Sequence, residues 1–251
     1  MILQKLAAAI RRQDWFQIVI EVLIVIVGIF LGLQVQAAYE ERAERKQELV
    51  YLDNLRKDIT VNIETVKILF DQREVTRKKL NEVAYYLSEV KPDIVLTKEH
   101  CTAIGESHRI NNFARERQAL LEIQSSGQIA NFQNDQIRYL FSLYARSIYG
   151  LDDLIGEQNT RESLNEKYPE IIKIINNIRQ EDVVTDQSLF SLYSGVEYKC
   201  DFTAIKENPS FHNDLMIIDT TYVFYLMRGH NQLMVMQELL EELDSELEVD
   251  S

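Results

Sequence analysis

Apolar positions follow two patterns along this chain. One is a single continuous block near its start; the other is a set of stripes spaced by threes and fours. The block is Phe16 to Val35, FQIVIEVLIVIVGIFLGLQV. Its uninterrupted core is Val22 to Leu33, and it reaches full length only by including Gln17, Glu21 and Gln34. A helix of about twenty residues rises about 30 Å, the thickness of a bilayer's hydrocarbon core. The pattern predicts a transmembrane anchor over residues 15–36. Trp15 serves as its interfacial anchor, close to Lys5, Arg11 and Arg12. A cleaved signal peptide competes with this reading, because Val35-Gln36-Ala37 has small-residue cleavage spacing. So does a buried helix of a soluble protein. The uncleaved signal anchor is favoured, because the block is apolar nearly all round and no Gly or Pro lies between Gly32 and Pro92.

The stripes predict helices. Leu49, Leu52, Leu55, Ile59, Ile63, Val66 and Phe70 recur at helical spacing, followed by Leu80, Val83, Leu87 and Val90 before Pro92. Asp71 to Lys79 is polar apart from Val75, so a stutter or kink is expected there. If unbroken, Gln34 to Val90 would extend about 85 Å as a stalk. Lys91 to Asn112 reads as a connector with a short helix around Cys101 and Ile104. A helix is expected from Phe113 to Gln124, ended by Ser125-Ser126-Gly127 with Gly in the left-handed position. Asn134 is the expected N-cap of the next helix, which carries Ile137, Leu140, Tyr144, Ile148, Leu151 and Ile155 and runs to about Asn165. Pro169 would open a short helix to about Arg179. Residues 181–207 read as irregular around a short segment at Ser188 to Tyr193.

The last helix is the clearest. Asn208 caps it, Pro209 takes its first position, and Phe211, Leu215, Ile218, Tyr222, Leu226, Leu233, Met236, Leu240, Leu243 and Leu247 form a coiled-coil-like core stripe. Gly229 falls inside that stripe, where a small residue permits close packing. Eight Gly and three Pro in 251 residues leave little turn material for a β-rich fold. The expected class is all-α: an N-terminal transmembrane helix continuing into a long helix, then an antiparallel helical bundle. The expected division is a short basic cytoplasmic tail at 1–14, the anchor at 15–36 and a helical extracytoplasmic domain at 37–251.

Charge narrows the function. The net charge is −13, and residues 1–37 carry three basic and two acidic side chains, so the remainder carries −14. A nucleic-acid partner, which needs a basic footprint, is excluded on this balance. The basic flanks of the span tie, with Lys5, Arg11 and Arg12 before it and Arg42, Arg45 and Lys46 after it. The short basic tail favours an N-terminus inside, with the bulk of the chain periplasmic or extracellular, at the inner (cytoplasmic) membrane of a bacterium. Within the span Glu21, Gly28 and Gly32 are spaced by seven and four and share a face. Close helix approach at the Gly-x-x-x-Gly pair makes them the candidate membrane-helix contact. Glu21 alone also reads as a side chain snorkelling toward headgroups.

Two cysteines, Cys101 and Cys200, form the candidate disulfide if the domain lies in an oxidising compartment, and are two unrelated thiols otherwise. His100, His108 and His212 lie near them in sequence, but the spacing fits no compact zinc motif, so no metal or other cofactor is expected. Gly105-Glu106-Ser107-His108 holds nucleophile-type residues without implying a triad. Asp152-Asp153, Glu241-Glu242 and the acidic end from Glu238 to Asp250 read as solvated. No phosphate-binding loop, nucleophile elbow or His-Glu-x-x-His pair is present, and no enzyme is expected.

The chain resembles a family of uncharacterised single-pass bacterial membrane proteins. The resemblance rests on Arg11-Arg12, Trp15, Glu21, Gly28-Ile29, Leu33-Gln34-Val35, Tyr39 and Glu40, with Tyr39 where that family typically has Trp. It continues loosely over Leu120 to Gly127, Ile129 to Asn134 and Asp135 to Tyr144, and no further motif is shared beyond about Gly150. It implies an uncleaved anchor and a helical extracytoplasmic domain, and no activity. The expected function is a non-enzymatic, membrane-anchored interaction or scaffold protein, with a protein partner or a homo-oligomer. The alternative is a ligand-sensing helical bundle. With fourteen residues before the span, such a sensor would signal through a membrane partner. A tyrosine-lined apolar pocket would favour the sensor, and a flat acidic bundle the scaffold.

Overall fold

The computed structural model describes residues 15–91, 93–110, 112–177 and 196–249. The chain divides into two compact units, Met1–Leu52 and Asp53–Ser251, and helix α1 (Trp15–Leu87, 73 residues) contributes to both.

In the first unit every residue from Val19 to Glu44 is exposed. These include Ile20 and the apolar run from Val22 to Leu33, side chains that elsewhere in a protein would be inside. α1 is long and apolar enough to cross a membrane. Its most apolar eighteen-residue window has a mean hydropathy of 2.8 and no buried residue.

The second unit is a helical bundle with a small hairpin. Leu55, Ile59, Ile63, Val66, Leu80 and Val83 of α1 are buried, as the spacing predicts. Leu69 is buried in place of the expected Phe70, Phe70 and Leu87 are half-buried, and Val90 is exposed beyond the helix end. The polar stretch from Asp71 to Lys79 does not interrupt the helix. None of its residues is buried, and with neither Gly nor Pro it keeps its backbone bonds while exposing its side chains. α1 ends at Leu87, just before Glu89 takes a left-handed φ of 57°. Pro92, the expected stop, lies outside the described residues.

α2 (Lys98–Glu106) is the expected short helix around Cys101. α3 (Gln118–Ser126) ends at Gly127, whose φ of 70° is the left-handed turn foreseen there. A 3-10 turn (Gln128–Asn131) leads to α4 (Asp135–Asn159). Asn134 caps α4 by accepting from the backbone N–H groups of Gln136 and Ile137. Its amide group donates to Glu242 and Glu246 near the end of α7 (Pro209–Val249). Arg228 of α7 donates to the carbonyl of Gly150. Tyr222 and Asp244 of α7 meet Arg73 and Arg56 of α1 in the reverse order. α7 therefore runs antiparallel to both α4 and α1. Asn208 caps α7 through the N–H of Phe211, and Phe211, Leu215, Ile218, Tyr222, Leu226, Met236 and Leu243 are buried along it.

Three expectations are corrected. The helix expected from Phe113 begins only at Gln118, because side chains from other elements take the backbone groups it would need. The helix expected to reach Asn165 ends at Asn159; α5 (Leu164–Lys167) follows, opened by a Ser163–Glu166 capping box. The helix expected from Pro169 is instead a strand, β1 (Ile172–Asn177), paired antiparallel with β2 (Val196–Cys200) in the register Ile172 to Cys200. The reason is both local and tertiary. Ile171, Ile172, Ile174 and Ile175 are β-branched residues that suit a pleated surface better than a helix, and β2 supplies the partner. Arg179 and the segment from Ser188 to Tyr193 lie outside the described residues. α6 (Phe202–Glu207) joins the hairpin to α7.

Candidate functional site

The structure brings together one pair of the residues singled out in the sequence. Cys101 on α2 and Cys200 at the end of β2 are disulfide-bonded, with Cα atoms 5.7 Å apart. The surroundings hold the two elements in place. Thr97 and His100 form a capping box at the start of α2. The N–H of Thr97 donates to His100 Nδ1 at 3.0 Å. That leaves the Nε2 proton to bond Glu82 of α1 at 2.8 Å. Lys79 and His100, both hydrogen-bonded to Glu82, hold its carboxyl below the ordinary carboxylate range. Across the disulfide, Lys98 pairs with Glu197 of β2. Tyr198 of β2 lies on Gly105, where a β-carbon would overlap its ring.

The residues from Glu106 to Arg109 do not form a catalytic constellation. Ser107 turns its hydroxyl back to the carbonyl of Ile104 at 2.6 Å. Burial pushes the Glu106 carboxyl up, although Arg109 at 3.6 Å and Arg73 oppose the shift. Burial, and then Arg109, push His108 down. Among the described residues no group of three His, Cys, Asp or Glu side chains could hold a metal ion.

Sequence reasoning missed the polar centre of the bundle. Asn62 is fully buried on α1. Its carbonyl oxygen accepts from the N–H groups of Arg115 and Glu116, each at 2.9 Å. Its amide donates to the carbonyl of Glu116 at 2.6 Å and to the hydroxyl of Tyr144 at 3.1 Å. Burial pushes the Tyr144 hydroxyl up to about 12. Asp58, one turn earlier on α1, accepts from the N–H of Ala119 at the start of α3. Asn112 bridges Asp152, the carbonyl of Ile148 and the N–H of Ala114. Arg117 clamps Asp152 with two bonds, of 2.6 and 3.1 Å. Burial opposes ionisation of Asp152, but the bonds from Arg117 and Asn112 outweigh it and hold the carboxyl below its usual range. Asp152 is therefore a structural partner rather than the solvated acid expected. Glu242 and Glu246 likewise serve Asn134. One signal was present in the sequence: Asn62 falls on the buried face defined by Ile59, Ile63 and Val66.

The remaining candidates lie on the first unit. Trp15, Glu21, Gly28 and Gly32 are exposed on α1. A β-carbon at Gly28 or Gly32 would meet nothing within 4 Å. Two of the clefts in the second unit differ in lining. One of about 390 Å³ is mainly apolar, lined by Phe70, Val223, Leu226 and Met227 with Glu74 and Arg77. Another of about 290 Å³ is lined by Gln158, Arg161, Glu162, Lys167 and Asp214 with Leu164, Ile217 and Ile218. The large tyrosines Tyr144, Tyr222 and Tyr225 lie in the core. Against protein-family models, curated proteins and solved structures alike, the chain has no match.

Proposed function

We propose that this protein is a membrane-anchored, non-enzymatic interaction protein. α1 spans the inner membrane of a bacterium once, with Lys5, Arg11 and Arg12 on the cytoplasmic side. The bundle stands outside the cytoplasm and binds another protein. The observation that carries the membrane placement is the apolar run from Val22 to Leu33, exposed around its whole circumference. In water that surface would be costly at roughly 25 cal/mol per Å² of apolar area, whereas in hydrocarbon it is at home. The Cys101–Cys200 pairing supports the orientation, because disulfides persist in oxidising compartments.

The interaction reading is preferred over the sensor because the large tyrosines Tyr144, Tyr222 and Tyr225 fill the core rather than line a cavity. The hydroxyl of Ser107 and the carboxylate of Asp152 are engaged in holding the fold, which favours a binding role over catalysis. Reporter fusions at Ser251 test the topology, together with mass measurement of the alkylated, unreduced protein taken from cells. The expected result is an extracytoplasmic reporter, an intact N-terminal helix and no alkylated cysteine. A cytoplasm-active reporter, a chain beginning at Ala38, or two alkylated thiols would overturn the placement. Partners that co-purify with the detergent-extracted chain test the interaction.

A further inference from the structure

We infer that the outward face of α7 is a self-association seam, along which a second copy of this chain packs parallel to the first. This deepens the interaction reading above and rests on it, though not on the membrane placement. Opposite its buried stripe, α7 carries a second one. Ile217, Phe224 and Asn231 are seven residues apart, and Thr220, Met227 and Met234 form a second row offset by three. These two rows have the a and d spacing of a coiled-coil seam. All six side chains are exposed, Phe224 at 55% and Met227 at 57%. Thr220 turns its hydroxyl back to the carbonyl of Met216 at 2.8 Å, so it presents only its methyl group.

Three features identify the occupant as another copy. The first is charge. The chain has 40 acidic residues, yet between Met216 and Val235 the only one is Asp219, which is half-buried away from this face. Identical copies of a protein with net charge −13 repel each other, and along this face α7 adds no acidic side chain of its own to that repulsion. The second is register. The two rows continue into Glu238 and Glu241, where like charges from two copies would oppose each other and end the seam. Asn231 sits at an a-type position, where a parallel pair sets Asn against Asn and fixes alignment. The third is exposure. Ile217, Phe224, Met227 and Met234 are 46–57% exposed and the flanking Met216 and Val223 36–37%, six apolar side chains bare together along one face, where a monomer ordinarily scatters such residues singly.

The test uses the full chain in detergent, carrying Asn231→Cys, with Val61→Cys on an exposed position of α1 as control. Mild oxidation should link Asn231→Cys into a dimer and leave Val61→Cys monomeric. Adding Phe224→Glu should cut the dimer yield about tenfold, as expected for loss of a central aromatic anchor. Phe224 is exposed, so unchanged helicity and a retained Cys101–Cys200 bond would show that the variant folds. Equal linking at both positions, or none at residue 231, would overturn the seam. A bifunctional thiol reagent that joins residue 231 to a different protein would also overturn it, while leaving the interaction reading intact. Failure of that reading would show separately, as a chain that captures neither itself nor any partner.

Discussion

Gly229 lies beneath the ring of Phe113, so close that a β-carbon at 229 would overlap the ring. Phe113 has nowhere to go, since it is fully buried and stacked between Phe70 at 5.5 Å and Tyr225 at 4.8 Å. Replacing a helical Gly by Ala normally adds up to about 1 kcal/mol of stability. Here overpacking decides the sign, and Gly229→Ala should cost about 1–3 kcal/mol. Gly156 on α4 is the control: a β-carbon there meets nothing within 4 Å, so Gly156→Ala should stabilise. Denaturant midpoints of the two variants check this, and shifts of the same sign would refute the packing argument.

Asn62 should be the most sensitive polar position. Asn62→Leu keeps the branched shape, in a somewhat larger side chain, but removes the partner of the N–H groups of Arg115 and Glu116 and of the hydroxyl of Tyr144. The Tyr144 hydroxyl is buried, while Arg115 and Glu116 are exposed residues whose N–H groups water can reach. At about 1–3 kcal/mol for a buried group left without a partner, a loss of about 2–3 kcal/mol is expected. Tyr144→Phe removes only one hydroxyl and should cost about 1 kcal/mol. Thermal unfolding of both variants measures the ratio. Equal losses would mean that the loop before α3 is held by something other than Asn62.

The contrast between these two sites reflects what periodicity can carry. The core stripes of α1, α4 and α7 were legible because burial follows the helical period. The Asn134 and Asn208 caps and the turn at Gly127 were legible because each is a local backbone requirement. The late start of α3 was not legible. It depends on Asn62 and Asp58, more than fifty residues earlier in the chain, meeting Arg115, Glu116 and Ala119. The β1 strand was misread for a similar reason: a strand needs its partner, and β2 begins at Val196. Cys101 and Cys200 could be named as a pair, yet their 5.7 Å approach is a tertiary fact.

Two carboxylates should respond to pH in opposite directions. Glu106 is pushed above its ordinary value, chiefly by burial, so its folded state favours the neutral form. That contribution is present below the unfolded value of 4.5 and is lost as pH rises through the raised folded one. Glu106→Gln should therefore gain stability relative to the parent on going from pH 4 to pH 7. Asp152 is held below its ordinary 3.8, so its contribution is present at neutral pH and lost as pH falls through the lowered value. Asp152→Asn should cost more at pH 7 than at pH 3. Melting temperatures across that range decide both cases, and parallel profiles for the two variants would contradict the assigned causes.

Gly28 and Gly32 supply the last test. Their share of α1 is open on all sides, and a β-carbon at either meets nothing within 4 Å. Replacing both with Ile therefore creates no clash within one copy, and any effect must come from what the helix meets in the bilayer. Small residues let two helix backbones approach closely, and Glu21 lies on the same face. Gly28→Ile with Gly32→Ile should weaken association by about 1–2 kcal/mol, the scale of single contacts between membrane helices. The α7 seam would mask this in the full chain, so the measurement belongs on the isolated span, residues 1–48, in a membrane two-hybrid assay. Association of the wild-type span that survives the double substitution would remove the glycines from the contact. No association of the wild-type span at all would leave Glu21 as a side chain reaching for the headgroups, and α7 as the surface through which copies meet.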